Sequence, residues 1–217
     1  MSGAAVRSRI LDVAGAAPAV GWFGLSMAQS VHAASTSASF GAGPLTVCVY
    51  AADAALLGIM IFLLLARRPP LAKARGAWPR IAAIVGLVAP LAFLFLPRAS
   101  PDAFRTDISS AVMLAGTLAA IATVPWLGRS FSILPQARAL VTKGPYRYVR
   151  HPLYLAELVV VAGLVLSLAL PWGALMLLVA VAAQIPRMHC EEQVLRRAFS
   201  DYAAYARSTR RLVPGLY

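Results

Sequence analysis

Acidic side chains are scarce in this chain: eight Asp and Glu stand against 20 Lys and Arg, and only 13% of the 217 residues are charged. A soluble domain of this length would carry about twice that charge. Cysteine is scarcer still. Cys48 sits inside an apolar run and Cys190 lies far away, which excludes both a CxxC pair and a disulfide framework. The three His are scattered, so no metal signature arises and no metal is assigned. A glycine fingerprint is missing too. Gly41-Ala42-Gly43 lacks the third Gly and the helix pattern that should follow it, and no strand–helix alternation surrounds it, which excludes a Rossmann-type nucleotide site.

Apolar residues fill the space that charge vacates. At 60% hydrophobic and a mean hydropathy of +0.73, the chain is expected to be an all-α polytopic membrane bundle. A net charge of +12 invites nucleic acid as a partner, but the basic residues lie between apolar runs with no basic helix standing apart. The charge reads as topology, and membrane lipids are the expected surroundings.

Four candidate spans run near Val13–Ala34, Leu45–Ala66, Ile81–Leu96 and Ile108–Leu127. The first is diluted by Pro18, Gly21, Gly24, Gln29 and His32. With Arg7 and Arg9 before it and Val31-His32-Ala33-Ala34 at its end it also resembles a cleavable signal peptide, although its length favours a retained helix. From Pro152 to Ile185 the chain is apolar except for Glu157 and the turn Leu170-Pro171-Trp172-Gly173, which predicts a helical hairpin with arms slightly short for a full span. Beyond it, Leu195, Phe199, Tyr202 and Tyr205 recur at helical spacing and predict a continuing cytoplasmic helix. On this map only Arg98 and Arg105 of the basic residues face outward. The positive-inside rule then gives about six spans, with both termini cytoplasmic in what would be a bacterial inner membrane. The natural division is 1–127, four spans, and 128–217, loop, hairpin and terminal helix.

Candidate chemistry concentrates in Gly144-Pro-Tyr-Arg-Tyr-Val-Arg-His-Pro-Leu-Tyr154 and in Arg187-Met-His-Cys-Glu191-Glu192, which the hairpin should bring together on one side. Pro152 restricts His151 to extended backbone and suits the first position of a helix, whose free N–H groups attract an anion beside Arg147, Arg150 and His151. Glu157, about one turn inside that helix, is costly in a membrane and is expected to be functional or paired, with His151, Arg150 or Arg187 as partner. Taken alone, Arg187 and Glu191 stand at the spacing of a helical ion pair. His151 taken alone is a base or a hydrogen-bonding residue at a helix start.

The two motifs together, with Leu140-Val141-Thr142 ahead of the first and Leu195 and Phe199 after the second, resemble the isoprenylcysteine carboxyl methyltransferase type of membrane methyltransferase. The resemblance runs from about Gly128 to Tyr217, and phospholipid N-methyltransferases share the same C-terminal architecture. It implies S-adenosylmethionine as cofactor, contacted by Leu140, Val141, Tyr146, His151, Pro152, Leu153, Tyr154 and Glu191, with Arg187 facing a lipophilic acceptor. A carboxylate acceptor suits the planar fork of Arg187. A phospholipid amine is the alternative, with Glu157 or Glu192 taking the proton. A non-enzymatic membrane module or small transporter, using Glu157 and Asp53 as ion sites, is the rival of another class.

Overall fold

A computed structural model describes residues 12–39, 43–88, 93, 95–100 and 102–213. Its elements run α1 (Ala17–Ser39), α2 (Pro44–Ala66), β1 (Ala72–Lys73), α3 (Trp78–Val88), α4 (Ala103–Leu127), β2 (Gln136–Ala137), α5 (Pro152–Val165), α6 (Trp172–Ala198) and α7 (Tyr202–Ser208). The expected helical class holds, and the described residues contain no Rossmann-like sheet.

Local chemistry sets the helix ends. Pro44 and Pro152 begin α2 and α5, where a missing N–H costs nothing. Asp102 caps α4 by accepting from the Arg105 backbone N–H at 3.0 Å. Past α2, Pro69 and Pro70 keep the chain extended as far as β1, which pairs antiparallel with β2. That short ladder joins the two basic loops. Across the molecule, Ala99 donates to Ser167 O and Ala169 to Pro97 O, so the sparsely basic connections meet each other instead. Each pair of loops thus shares one end of the bundle, as the charge pattern predicts.

Pro44–Ala66, Ala103–Ser130 and Trp172–Ala198 are long and apolar enough to cross a membrane. The other three expected spans do not reach that standard. α1 has the length, but polar residues dilute it; α5 has 14 residues, about 21 Å of helix against a core of about 30 Å; and the second half of the Ile81–Leu96 run lies largely outside the described residues. Phe62, Leu118 and Leu178 are more than half exposed on the three long helices, as suits side chains that meet lipid.

α4 and α5 pack closest. A Cβ on Gly116 would lie 2.7 Å from Val160 N, and one on Gly163 2.7 Å from Met113 N, so two small residues let the backbones approach. Ser109 Oγ fastens the pair by donating to Gly163 O at 2.8 Å. Phe23, Leu63, Leu64, Val124, Leu153 and Ala156 fill the core between α1, α2, α4 and α5. The hairpin forms as predicted, but the continuous terminal helix does not. α6 runs through Pro186 as far as Ala198, then Phe199 turns extended at φ −133° and α7 starts afresh at Tyr202. Helical spacing of Leu195, Phe199 and Tyr202 therefore overstated continuity. The break folds α7 back towards the loop before α5, where Tyr205 Oη donates to Tyr146 O at 2.7 Å.

Candidate active site

The loop before α5 is shaped by one glycine. Gly144 has φ +60°, and a Cβ there would lie 2.4 Å from the Trp126 ring, so both conformation and space demand Gly. A 3-10 turn over Gly144–Arg147 follows and buries Tyr146. Arg150 N then donates to Arg210 O at 2.7 Å and His151 N to Arg211 O at 2.9 Å, which clamps the loop with the C-terminal segment. His151 gives α5 no side-chain cap, so the first-turn N–H groups stay available to a ligand.

Glu192 holds this arrangement from below. Its carboxylate, 2% exposed, accepts from Arg150 Nε at 2.9 Å, Arg211 Nε at 3.2 Å and Arg196 Nη2 at 3.4 Å, and lies 3.3 Å from His151 Nε2. Arg150 also donates to the carbonyls of Ala206 and Thr209. Glu192 is thus structural. Its neighbour Glu191 points elsewhere, is 36% exposed, and accepts from Tyr154 Oη at 2.9 Å with His151 Nδ1 at 3.9 Å.

Tyr154 touches wall residues of two cavities. Its ring stacks on His151 with centroids 5.3 Å apart, and the Arg187 guanidinium lies 4.6 Å from its centroid. On the His151 side is a cavity of about 50 Å³ whose walls include Leu140, Val141, Tyr146, His151 and Glu191. On the Arg187 side a larger one, about 240 Å³, is walled by Asp53, Gly86, Leu153, Glu157, Gln184 and Arg187 with mostly apolar neighbours. Burial pushes the Tyr146 phenol up, and that of Tyr205 up to about 12, so both stay protonated near neutrality.

Arg187 does not use Glu191. Its Nη1 donates instead to Glu157 Oε2 at 3.1 Å and to Gln184 Oε1 at 2.9 Å, and Gln184 Nε2 donates to Glu157 at 2.8 Å. Of the partners foreseen for Glu157, the fold therefore selects Arg187.

Residues 108–202 match the phospholipid methyltransferase family. The family resemblance is thereby shown for that region, and it begins within α4, ahead of the expected Gly128. Two curated proteins are similar as well. The nickel-cobalt-cadmium resistance protein NccN of Alcaligenes xylosoxydans is 34% identical over 51% of this chain, and the cobalt-zinc-cadmium resistance protein CzcN of Cupriavidus metallidurans is 39% identical over 36% of it. The matches span only 54% and 36% of those relatives' own lengths. Among the described residues no three His, Cys, Asp or Glu side chains gather as a metal site would need.

Within the matched region, Leu140, Val141, Tyr146, His151 and Glu191 share the smaller cavity. Pro152 is buried at the start of α5, and Leu153 faces the core and the larger cavity. Tyr154, Glu157 and Arg187 stand at or beyond the junction. Gln184, Gly86 and the clasp of Arg150 and Arg211 on Glu192 were not foreseen. Only Gln184 left a trace in the sequence, as an amide in an apolar run three residues before Arg187.

Proposed function

We propose that the chain is an integral-membrane, S-adenosylmethionine-dependent methyltransferase whose cofactor lies on the His151–Glu191 side of Tyr154 and whose lipophilic acceptor lies on the Arg187 side. The observation that carries this reading is Tyr154 itself, which touches His151 and Glu191 of the smaller cavity and Arg187 of the larger one at once. When bound, the cofactor supplies an electrophilic methyl group on a sulfonium. The donor set suits it. Glu191 offers a carboxylate for an ammonium or ribose hydroxyls, the start of α5 and His151 face a carboxylate, and Leu127, Leu140, Val141 and Leu195 offer apolar walls for an adenine.

For the acceptor, the geometry favours a lipophilic amine. Glu157 already neutralises Arg187, and Asp53, hydrogen-bonded to Ser30 Oγ at 2.5 Å, adds a second acid to the wall. Two carboxylates and one guanidinium suit an ammonium headgroup, and Glu157 is placed to take the proton that the amine loses before its nitrogen attacks. Apolar neighbours exclude water and fix the line of attack. A carboxylate acceptor has one feature in its favour, the buried Arg187 Nε, which has no hydrogen-bond partner among the described residues. The metal-resistance names of the relatives fit a supporting role, in which methylation alters membrane headgroups.

Calorimetry with S-adenosylhomocysteine on detergent-purified protein tests the cofactor. Binding that weakens in His151→Ala and Glu191→Ala supports the site; no binding by well-folded protein would favour a transporter or non-enzymatic module. Labelled-methyl transfer to phosphatidylethanolamine or to a prenylated cysteine then separates amine from carboxylate. An amine acceptor also predicts a rate that rises through a high apparent pKa.

A further inference from the structure

A cavity of about 550 Å³ lies beside α1, away from Tyr154, with Asp12, Trp22, Arg67, Lys73, Arg80 and Ile84 on its walls. Its charge is unbalanced. Asp12 is the only one of the eight acids that lines it, and that carboxylate is already engaged by Arg67 Nε at 2.9 Å and by Arg138 Nη1 at 2.9 Å and Nη2 at 3.0 Å. Two guanidiniums with side chains 7% and 0% exposed share one carboxylate, which leaves one positive charge in a poorly solvated place. Burial, and then the charge of Arg138, hold Arg67 below its ordinary value. The Nε of Arg138 is buried with no hydrogen-bond partner among the described residues.

At the exposed rim Lys73 and Arg80 add two more cations, and no described carboxylate pairs with either. Facing these charges, Trp22, Ile84 and Ile133 form an apolar wall continuous with α1 and α3. A free phosphate would satisfy only the first half of this surface. We propose that the cavity binds an anionic amphiphile, a phosphate-bearing lipid whose headgroup meets Arg67, Lys73 and Arg80 while its chain lies along Trp22 and Ile84. This site is independent of methyl transfer.

Native mass spectrometry of the full chain in detergent tests it, with phosphatidylglycerol, phosphatidylcholine and inorganic phosphate as probes. Phosphatidylglycerol should bind about tenfold more tightly than phosphatidylcholine, and Lys73→Gln with Arg80→Gln should cut the preference to about twofold or less. Both positions are exposed, so the double variant should keep its fold, which circular dichroism checks. Ile84→Trp changes no charge but narrows the apolar wall, and should weaken the lipid while sparing phosphate. Equal affinity for the two lipids, or a preference that survives the double variant, overturns the proposal. So does inorganic phosphate that displaces the lipid at equal concentration, which would make this a free-anion site.

Discussion

Asp12 and Glu192 anchor two neighbouring parts of the basic end of the bundle with the same device, a buried carboxylate shared among guanidiniums, yet they leave opposite surroundings behind. Around Glu192 the cations Arg150, Arg196 and Arg211 are gathered in, and the next residue, Glu191, is left half-exposed on a cavity wall. Around Asp12 it is the cations that are left over, with Lys73 and Arg80 on the rim. The buried cluster supplies rigidity in both places. What it does not consume sets the sign of the ligand, an acid for an ammonium or hydroxyl beside Glu192 and cations for an anion beside Asp12.

The comparison breaks most severely at Glu192. Glu192→Gln leaves three guanidiniums and His151 around a neutral amide, and removing one partner of a buried ionic cluster costs about 3 to 5 kcal/mol. The thermal midpoint in detergent should fall sharply, and cofactor binding should fall with it, because Arg150 and His151 lose their common anchor. A variant that melts like wild type would remove Glu192 from its structural role.

Asp12→Asn should cost somewhat less, about 3 kcal/mol, since two guanidiniums are released instead of three. Here pH sharpens the test. Burial pushes the Asp12 carboxyl up, but hydrogen bonds and charge from Arg138 and Arg67 outweigh it and hold the group below its ordinary value of 3.8. A depressed carboxyl contributes stability that is fully present above 3.8 and is lost as pH falls through its folded value. The gap in melting temperature between wild type and Asp12→Asn should therefore persist at neutral pH and close below about pH 4. A gap that stays constant in acid would mean that the ion pairs contribute nothing.

The C-terminal cluster was legible and the N-terminal one was not, for a physical reason. Pro152 after His151, an acid inside an apolar run, and two polar motifs on either side of a hairpin are short-range signals, so proximity followed from topology alone. Asp12, Arg67 and Arg138 lie on three separate segments, and the last two are brought together by the β1–β2 pairing and by the bonds of Arg68 and Ala66 to Arg129. Two-residue strands leave no periodicity to read. Within the legible site only the choice of partner was open. Helical spacing allows Arg187 with Glu191, whereas Arg187 reaches across the hairpin to Glu157, one of the partners expected for that acid, and leaves Glu191 to Tyr154.

Glu191→Gln sharpens the contrast with its neighbour. The substitution removes a half-exposed carboxylate that holds only Tyr154 Oη and a distant His151, so stability should change by about 0.5 kcal/mol or less. Affinity for S-adenosylhomocysteine should fall by about 1 to 3 kcal/mol, as when a charged hydrogen-bond partner is lost from a desolvated site. If calorimetry finds the affinity of Glu191→Gln intact, the cofactor is not held on this side of Tyr154.

The smallest expected effect on cofactor affinity falls at Gly86, which lines the larger cavity from α3. A Cβ there would lie 2.4 Å from Arg187 Cδ and 2.9 Å from its Nε. A long side chain usually yields, but this one is fixed at its far end by Glu157, Gln184 and the Tyr154 ring. Gly86→Ala must therefore tilt the guanidinium or part α3 from α6, at a cost of about 1 to 2 kcal/mol. Acceptor turnover should drop roughly tenfold while cofactor affinity stays close to wild type, because the strain enters on the acceptor side of Tyr154. Arg187→Lys is the companion measurement. Lysine keeps the charge but cannot hold Glu157 and Gln184 while lying flat over a ring, so it should lower turnover similarly. If Gly86→Ala loses cofactor as badly as Glu191→Gln, or if Arg187→Lys retains full turnover, the division of the two cavities at Tyr154 is wrong.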